Sequence, residues 1–152
     1  LIEGPEGLLL VQNRRRNGRV DWSPPGGVID DGESVLDGLA REVLEETGLV
    51  VTSWEGPVYS IEAEAPGLGW ILKVEVHRAL AYEGELVVDD PDGIVVDARF
   101  VAPAVCADHL TDGHPWVREP LVEWLGERWA GTRGFGYRVE GDDPAGLSVS
   151  RL

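Results

Sequence analysis

The chain has 152 residues, 43% of them hydrophobic and 27% charged, with a formal net charge of −15. This composition fits one globular domain over residues 1–152, and so acidic a surface excludes the basic stripe that a polymeric nucleic acid needs. Cys106 is the only cysteine and Lys73 the only lysine, so neither an intramolecular disulfide nor a cysteine-built zinc cluster is available.

Leu8 to Gln12 reads as a buried strand, followed by a turn at Arg14-Arg15-Arg16-Asn17-Gly18 and a second strand from Arg19 to Ser23. Pro24-Pro25-Gly26-Gly27 is a stiff loop that delivers the chain to a helix. Two strands follow, Val50 to Trp54 and Val58 to Glu64, expected to be broken at Gly56-Pro57. A turn at Pro66-Gly67-Leu68-Gly69 leads into a long strand, Trp70 to Tyr82. The acidic loop Asp89-Asp90-Pro91-Asp92-Gly93 precedes a strand from Ile94 to Val101. Pro103 to Leu110 and Val117 to Trp129 are the remaining helices, and Pro120 is tolerable only in the first turn of the latter. Phe135 to Val139 and Leu147 to Ser150 form a terminal hairpin. Strands interspersed with helices imply an α/β fold with a mixed sheet covered by helices.

No apolar run approaches the ~18 residues of a membrane span. With no basic-then-apolar leader read at the N-terminus, a cytoplasmic location is the expectation.

The densest chemical signal lies between Gly27 and Leu49. Ser34 is a natural N-cap with Asp37 three residues on, and Gly48 supplies a left-handed stop. At 3.6 residues per turn, Glu42, Glu45 and Glu46 fall within about 100° of arc. Leu36, Leu39, Ala40, Val43 and Leu44 are expected on the opposite side, facing the core. Gly38 leaves room among the glutamates for a ligand or a neighbouring loop. Three carboxylates this close repel one another near the helix C-terminus, where the macrodipole also disfavours them. A hard divalent cation would relieve both penalties. A solvated acidic face is the plain alternative.

The spacing Gly27, Glu33, Arg41-Glu42-Val43-Leu44-Glu45-Glu46-Thr47-Gly48-Leu49 matches the Nudix box position for position, and the chain resembles the Nudix hydrolase family. The resemblance implies an α/β/α sandwich with a mixed β-sheet and hydrolysis of a nucleoside diphosphate linked to another group X. It also implies that Glu42, Glu45 and Glu46, with the Gly27 carbonyl, bind Mg²⁺ or Mn²⁺. By the same resemblance Arg41 pairs with the glutamates and orients them, supported by Glu33. The proton acceptor is expected to be Glu42, or else Asp92 in the acidic loop, where turn chemistry explains an Asp-Gly pair equally well.

Arg14 and Arg15 sit at the end of the first strand, where the resemblance implies a phosphate-binding arginine, although a solvated turn would look the same. Trp22 could stack on a base or simply pack. The other tryptophans are assigned to packing, and His77, His109 and His114 lack ligand spacing. The expected partner is a small-molecule nucleotide, with no polymer or membrane, bound by a monomer or homodimer. By the same resemblance a (deoxy)nucleoside triphosphate is the leading substrate, then ADP-ribose, since family members that cleave it often carry a proline about where Pro66 stands, or a nucleoside-diphosphate sugar. A nucleotide-sensing domain without catalysis is the reading from another class.

Overall fold

The computed structural model describes residues 1–152. The chain divides into two compact units, Leu1–Glu55 with Arg78–Gly113, and Gly56–His77 with His114–Leu152. Its elements, in order, are β1 (Glu3–Gly4), β2 (Gly7–Arg14), β3 (Val20–Ser23), α1 (Val35–Thr47), β4 (Val50–Ala65) and β5 (Trp70–Glu83). They are followed by β6 (Val95–Val101), α2 (Pro103–His109), α3 (Pro115–Glu127), β7 (Arg133–Glu140) and β8 (Ser148–Arg151). This is the α/β class with helices and a mixed sheet, consistent with the expected sandwich. No helix is long and apolar enough to cross a membrane.

In the first unit β2 is the central strand, antiparallel to β1, β3 and β6. Its side chains alternate between two faces. Leu9 packs with Val43 of α1, Ala98 and Phe100 of β6, and Ile2, Leu49 and Val51 in one apolar cluster. The β2–β3 register opposes Asn13 to Asp21 and Val11 to Ser23, so these polar residues lie on the face that carries Leu9 and meets α1. Gln12 opposes Trp22, which puts Trp22 on the other face.

Helix α1 is bounded as its sequence prescribes. Ser34 Oγ accepts from the Asp37 amide at 3.1 Å, and Gly48 closes the helix at φ 78° with its amide on the Leu44 carbonyl. The buried face differs from expectation. Gly38, Val43, Glu46 and Thr47 are buried, whereas Leu36 and Leu44 are 41% and 50% exposed. The inward stripe therefore runs through Leu39, Val43 and Glu46, which are spaced four and three residues apart. Val43→Glu should cost several kcal/mol by placing an unpaired carboxyl in the core, while Asp37→Ala, at an exposed side chain outside the cap bond, should cost under about 0.5 kcal/mol. Thermal melts followed by circular dichroism check this. Equal melting temperatures would mean that the buried stripe is misassigned.

Two boundaries also differ. β4 continues through Gly56-Pro57 instead of breaking there, with Gly56 at φ 133°. The chain passes from the first unit to the second at this point. Helix α3 begins two residues earlier than expected, because Pro115 occupies its first position, where a missing N–H costs nothing. Pro120 consequently lies inside the helix, beyond the first turn, and is buried.

The second unit holds a sheet of order β5-β4-β7-β8. β4 and β7 are parallel, with Ile61 opposite Phe135 and Ala63 opposite Tyr137. β7 and β8 form the expected hairpin, with Val139 opposite Val149. Tyr59, Phe135 and Trp129 meet edge-on or tilted, with centroids about 6 Å apart, and the Trp129 indole donates to the Val58 carbonyl at 2.7 Å.

Candidate active site

The site is built in the first unit around the Arg41 guanidinium. Its Nη2 and Nε reach the two oxygens of Glu33 at 2.7 and 3.2 Å, a bidentate fork. Nη1 donates to Glu42 at 3.0 Å and to Glu45 at 3.4 Å, and Nη2 also donates to the Val28 carbonyl at 3.2 Å. Glu33 accepts from the Asp30 amide at 2.7 Å as well. The hydrogen bonds from Arg41 and then from the Asp30 amide hold the Glu33 carboxyl below the usual carboxylate range. Arg41 is held fully charged, chiefly by Glu33.

Two glycines make this arrangement possible. A Cβ on Gly27 would overlap the Glu42 carboxylate, so any larger residue there would push that carboxylate out of its present position. A Cβ on Gly38 would lie 2.7 Å from both Glu33 Oε1 and Ile29 Cδ1. The room at Gly38 is therefore taken by the neighbouring loop.

Glu46 stands apart from its two neighbours on α1. It is 8% exposed and accepts from the Gly26 amide at 3.4 Å. Burial, reinforced by the nearby Glu42, Asp90 and Glu45 carboxylates, pushes its pKa up to about 8 despite the Gly26 bond. The Glu42 carboxyl is raised mainly by burial, against the pull of Arg41. Glu42, Glu45 and Glu46 do not converge into a ready-made group of three ligands, because Arg41 draws two of them while Glu46 turns inward to Gly26.

The acidic loop reaches this site electrostatically. Asp92 adds to the negative field at Glu42 and Asp90 to that at Glu46. Asp90 also organises the loop, accepting from the amides of Asp92, Ile94 and Val95 at 2.9–3.2 Å. Its structural part is hidden in a run that reads only as acidic.

The two arginines after β2 separate. Arg15 is committed to Asp21 through bonds of 2.8 and 2.9 Å, whereas the exposed Arg14 guanidinium makes no ion pair. Trp22 packs edge-on to His109, with centroids 5.4 Å apart, and Arg99 lies 5.7 Å from its ring. It is not brought together with the glutamates.

Sequence reasoning missed the buried cluster beside them. The Asn13 amide donates to Asp21 at 3.1 Å and to Ser23 at 2.9 Å. Asn13 and Asp21 are 7% and 8% exposed, and the Glu46 carboxylate acts electrostatically on Arg15 at the end of this network. The signal is present in the alternation, which puts polar Asn13, Asp21 and Ser23 where an apolar face is due.

Fold and site together define an α/β protein that carries a carboxylate-rich helix organised by one arginine. The NUDIX domain model matches residues 1–125, and the chain belongs to the Nudix family, whose hydrolases act on phosphoanhydride bonds. It is 33% identical over 90 residues to the oxidized purine nucleoside triphosphate hydrolase of Danio rerio, covering 59% of this chain and 57% of that protein. It is 34% identical over 71 residues to an 8-oxo-dGDP phosphatase of Mus musculus, covering 47% of this chain and 21% of that protein. The chain thus spans less than two thirds of the length of these relatives. Among solved structures, the E. coli ORF135 protein superposes with a TM-score of 0.68 at 22% identity, over 84% of this chain and 86% of that one. The MutT protein from Bacillus halodurans superposes with a TM-score of 0.65 at 21% identity, over 99% and 93%. At these identities the likeness is one of fold.

Proposed function

We propose that the chain is a divalent-metal-dependent pyrophosphohydrolase, formed as a single domain, that cleaves a nucleoside diphosphate linked to X by water attack on phosphorus. A (deoxy)nucleoside triphosphate is the favoured substrate. The observation that carries the reading is the buried Glu46, held near neutrality beside Glu42 and Glu45. A desolvated carboxyl among like charges is a place where positive charge is wanted.

The donor set fits a hard cation, since all of it is oxygen. Glu42, Glu45, Glu46 and the Gly27 carbonyl would hold Mg²⁺ or Mn²⁺. The chemistry such an ion supplies there is charge neutralisation of the pyrophosphate and acidification of the attacking water. Arg41, anchored by Glu33, fixes the directions of Glu42 and Glu45 and so acts as a positioning residue. Glu42 receives the proton from water, with Asp92 the second candidate because its charge already acts on Glu42. Arg14, its fork uncommitted, is the better candidate than Arg15 for a phosphate oxygen.

The nucleoside triphosphate preference draws support from the Danio rerio relative's substrate class. The feature that pointed to ADP-ribose, Pro66, has a local explanation. It opens the turn between β4 and β5, where the Leu68 and Gly69 amides bond back to Ala65 and Pro66. The test is chromatographic analysis of the nucleotide products from a panel of normal and oxidised nucleoside triphosphates, ADP-ribose and nucleoside-diphosphate sugars, with Mg²⁺ and Mn²⁺ compared. Triphosphates yield pyrophosphate or phosphate, whereas ADP-ribose and the sugars yield a nucleoside monophosphate and a sugar phosphate. Metal-dependent turnover highest on a triphosphate is the expected result. Faster turnover of ADP-ribose or a sugar would replace the substrate. Binding without turnover of any member would make the chain a sensor.

A further inference from the structure

The sheet of the second unit has one long unfinished edge. In the order β5-β4-β7-β8 the outer strands are β5 and β8. β8 has four residues, whereas β5 contributes Trp70–His77 to this unit. Within the first unit the continuation of β5 is capped, since the Ala79 amide donates to the Leu1 carbonyl. No such bond to a loop or terminus involves the backbone of Trp70–Val76. The stretch also contains no proline or glycine to break a ladder.

Its side chains are equally unfinished. Trp70 meets Trp116 of α3 edge-on, which places Trp70, Leu72, Val74 and Val76 on the helix-covered face. There Leu72, Val74 and Val76 are only half-buried, while Ile61 and Ala63 on the adjacent strand β4 are buried. The apolar face stops one strand short. On the opposite face Ile71 and Lys73 are exposed, and Glu75 is half-exposed beside His77.

We propose that this edge docks a second copy of the chain, with two β5 strands paired antiparallel about Val74. The charge pattern selects both occupant and register. Centred on Val74, the pairing sets Lys73 opposite Glu75 of the second copy, twice by symmetry, and Leu72 opposite Val76. Moving the centre to residue 73 sets lysine against lysine, and moving it to 75 sets glutamate against glutamate. A lone edge lysine commonly guards against pairing. Here a carboxylate two residues along matches it, whereas its contact within its own chain, Glu62 at 3.8 Å, is loose and exposed. Two strands of this length bury less than the ~1,600 Å² of a standard interface. The association is therefore weak and concentration-dependent, and added salt strengthens it by screening two chains of net charge −15.

Sedimentation equilibrium of the full chain, from low micromolar to near-millimolar, tests the surface. The parent should dimerise reversibly, and hydrogen exchange of Trp70–His77 should slow as concentration rises. Lys73→Glu and Glu75→Lys should each weaken the dimer about tenfold or more, by setting like charges opposite each other. The double variant K73E/E75K should regain the parental dimer, because the pairs are restored with their signs exchanged. Circular dichroism melts of all four proteins establish that each is folded. A parent that stays monomeric throughout, single variants that dimerise as the parent does, or a double variant as weak as the singles would each overturn the proposal.

Discussion

Replacing Glu46 by Gln should lower turnover about a hundredfold or more at saturating Mg²⁺, and yet make the metal-free protein more stable at pH 8. The first effect follows from losing a charged oxygen at the cluster while shape is kept. The second follows from burial. In the folded chain the Glu46 carboxyl titrates at about 8 instead of 4.5, chiefly through desolvation. Between these values the native state binds a proton that the unfolded state has released. Stability from this group is therefore lost as pH rises from about 4.5 to about 8. Each tenfold difference in proton affinity between the two states is worth about 1.4 kcal/mol. Relaxation around the carboxylate reduces the total, so a few kcal/mol is the expected scale. The glutamine variant carries no such loss. Its melting temperature should match the parent's near pH 5 and exceed it by several degrees at pH 8, both measured in EDTA. A difference that does not change with pH would mean that Glu46 is solvated in solution, and retained activity would remove it from the site.

Legibility in the sequence depends on the kind of residue. The caps at Ser34 and Gly48 act locally, and the structure places both where the sequence does. The fork between Arg41 and Glu33 is legible because box spacing brings the two together. The inward turn of Glu46 is not, although the helical geometry contains it. Glu46 lies seven residues after Leu39, about 20° from it on the helix, and so shares the core stripe. Sorting by polarity instead places Leu36 and Leu44 inside and every glutamate outside. The Asn13–Asp21–Ser23 cluster escapes notice for the same reason, since polar residues on a strand read as its solvent face. The start of α3 is decided by Pro115, and the local pattern of Gly56-Pro57, which signals a break, does not announce that β4 runs on through it. The chemistry sits where the polarity rule fails, at residues whose burial costs stability and sets charge.

Millimolar Mg²⁺ or Mn²⁺ should raise the melting temperature by several degrees, and by more at pH 8 than at pH 6. In the metal-free chain the helix gathers Glu42, Glu45 and Glu46, with only Arg41 to offset them. A cation that draws these carboxylates together in the folded chain, and does not bind the unfolded one, stabilises by mass action, about 2.7 kcal/mol at a hundredfold excess over its dissociation constant. For a chain of this size that corresponds to roughly 5–10 °C. Binding requires Glu46 to be ionised, so below about pH 8 it must first displace a proton, and the gain in melting temperature should shrink as pH falls. Na⁺ at equal ionic strength should do less, because screening is not coordination. The general acidity of the chain offers a competing explanation, since a surface at −15 attracts divalent ions everywhere. The double variant E42Q/E46Q separates the two. It loses two cluster oxygens while the formal charge moves only from −15 to −13, so diffuse attraction is nearly untouched. A parental response to Mg²⁺ in that variant would assign the stabilisation to the surface as a whole. A response lost in the variant, and dependent on pH in the parent, would place the ion at α1.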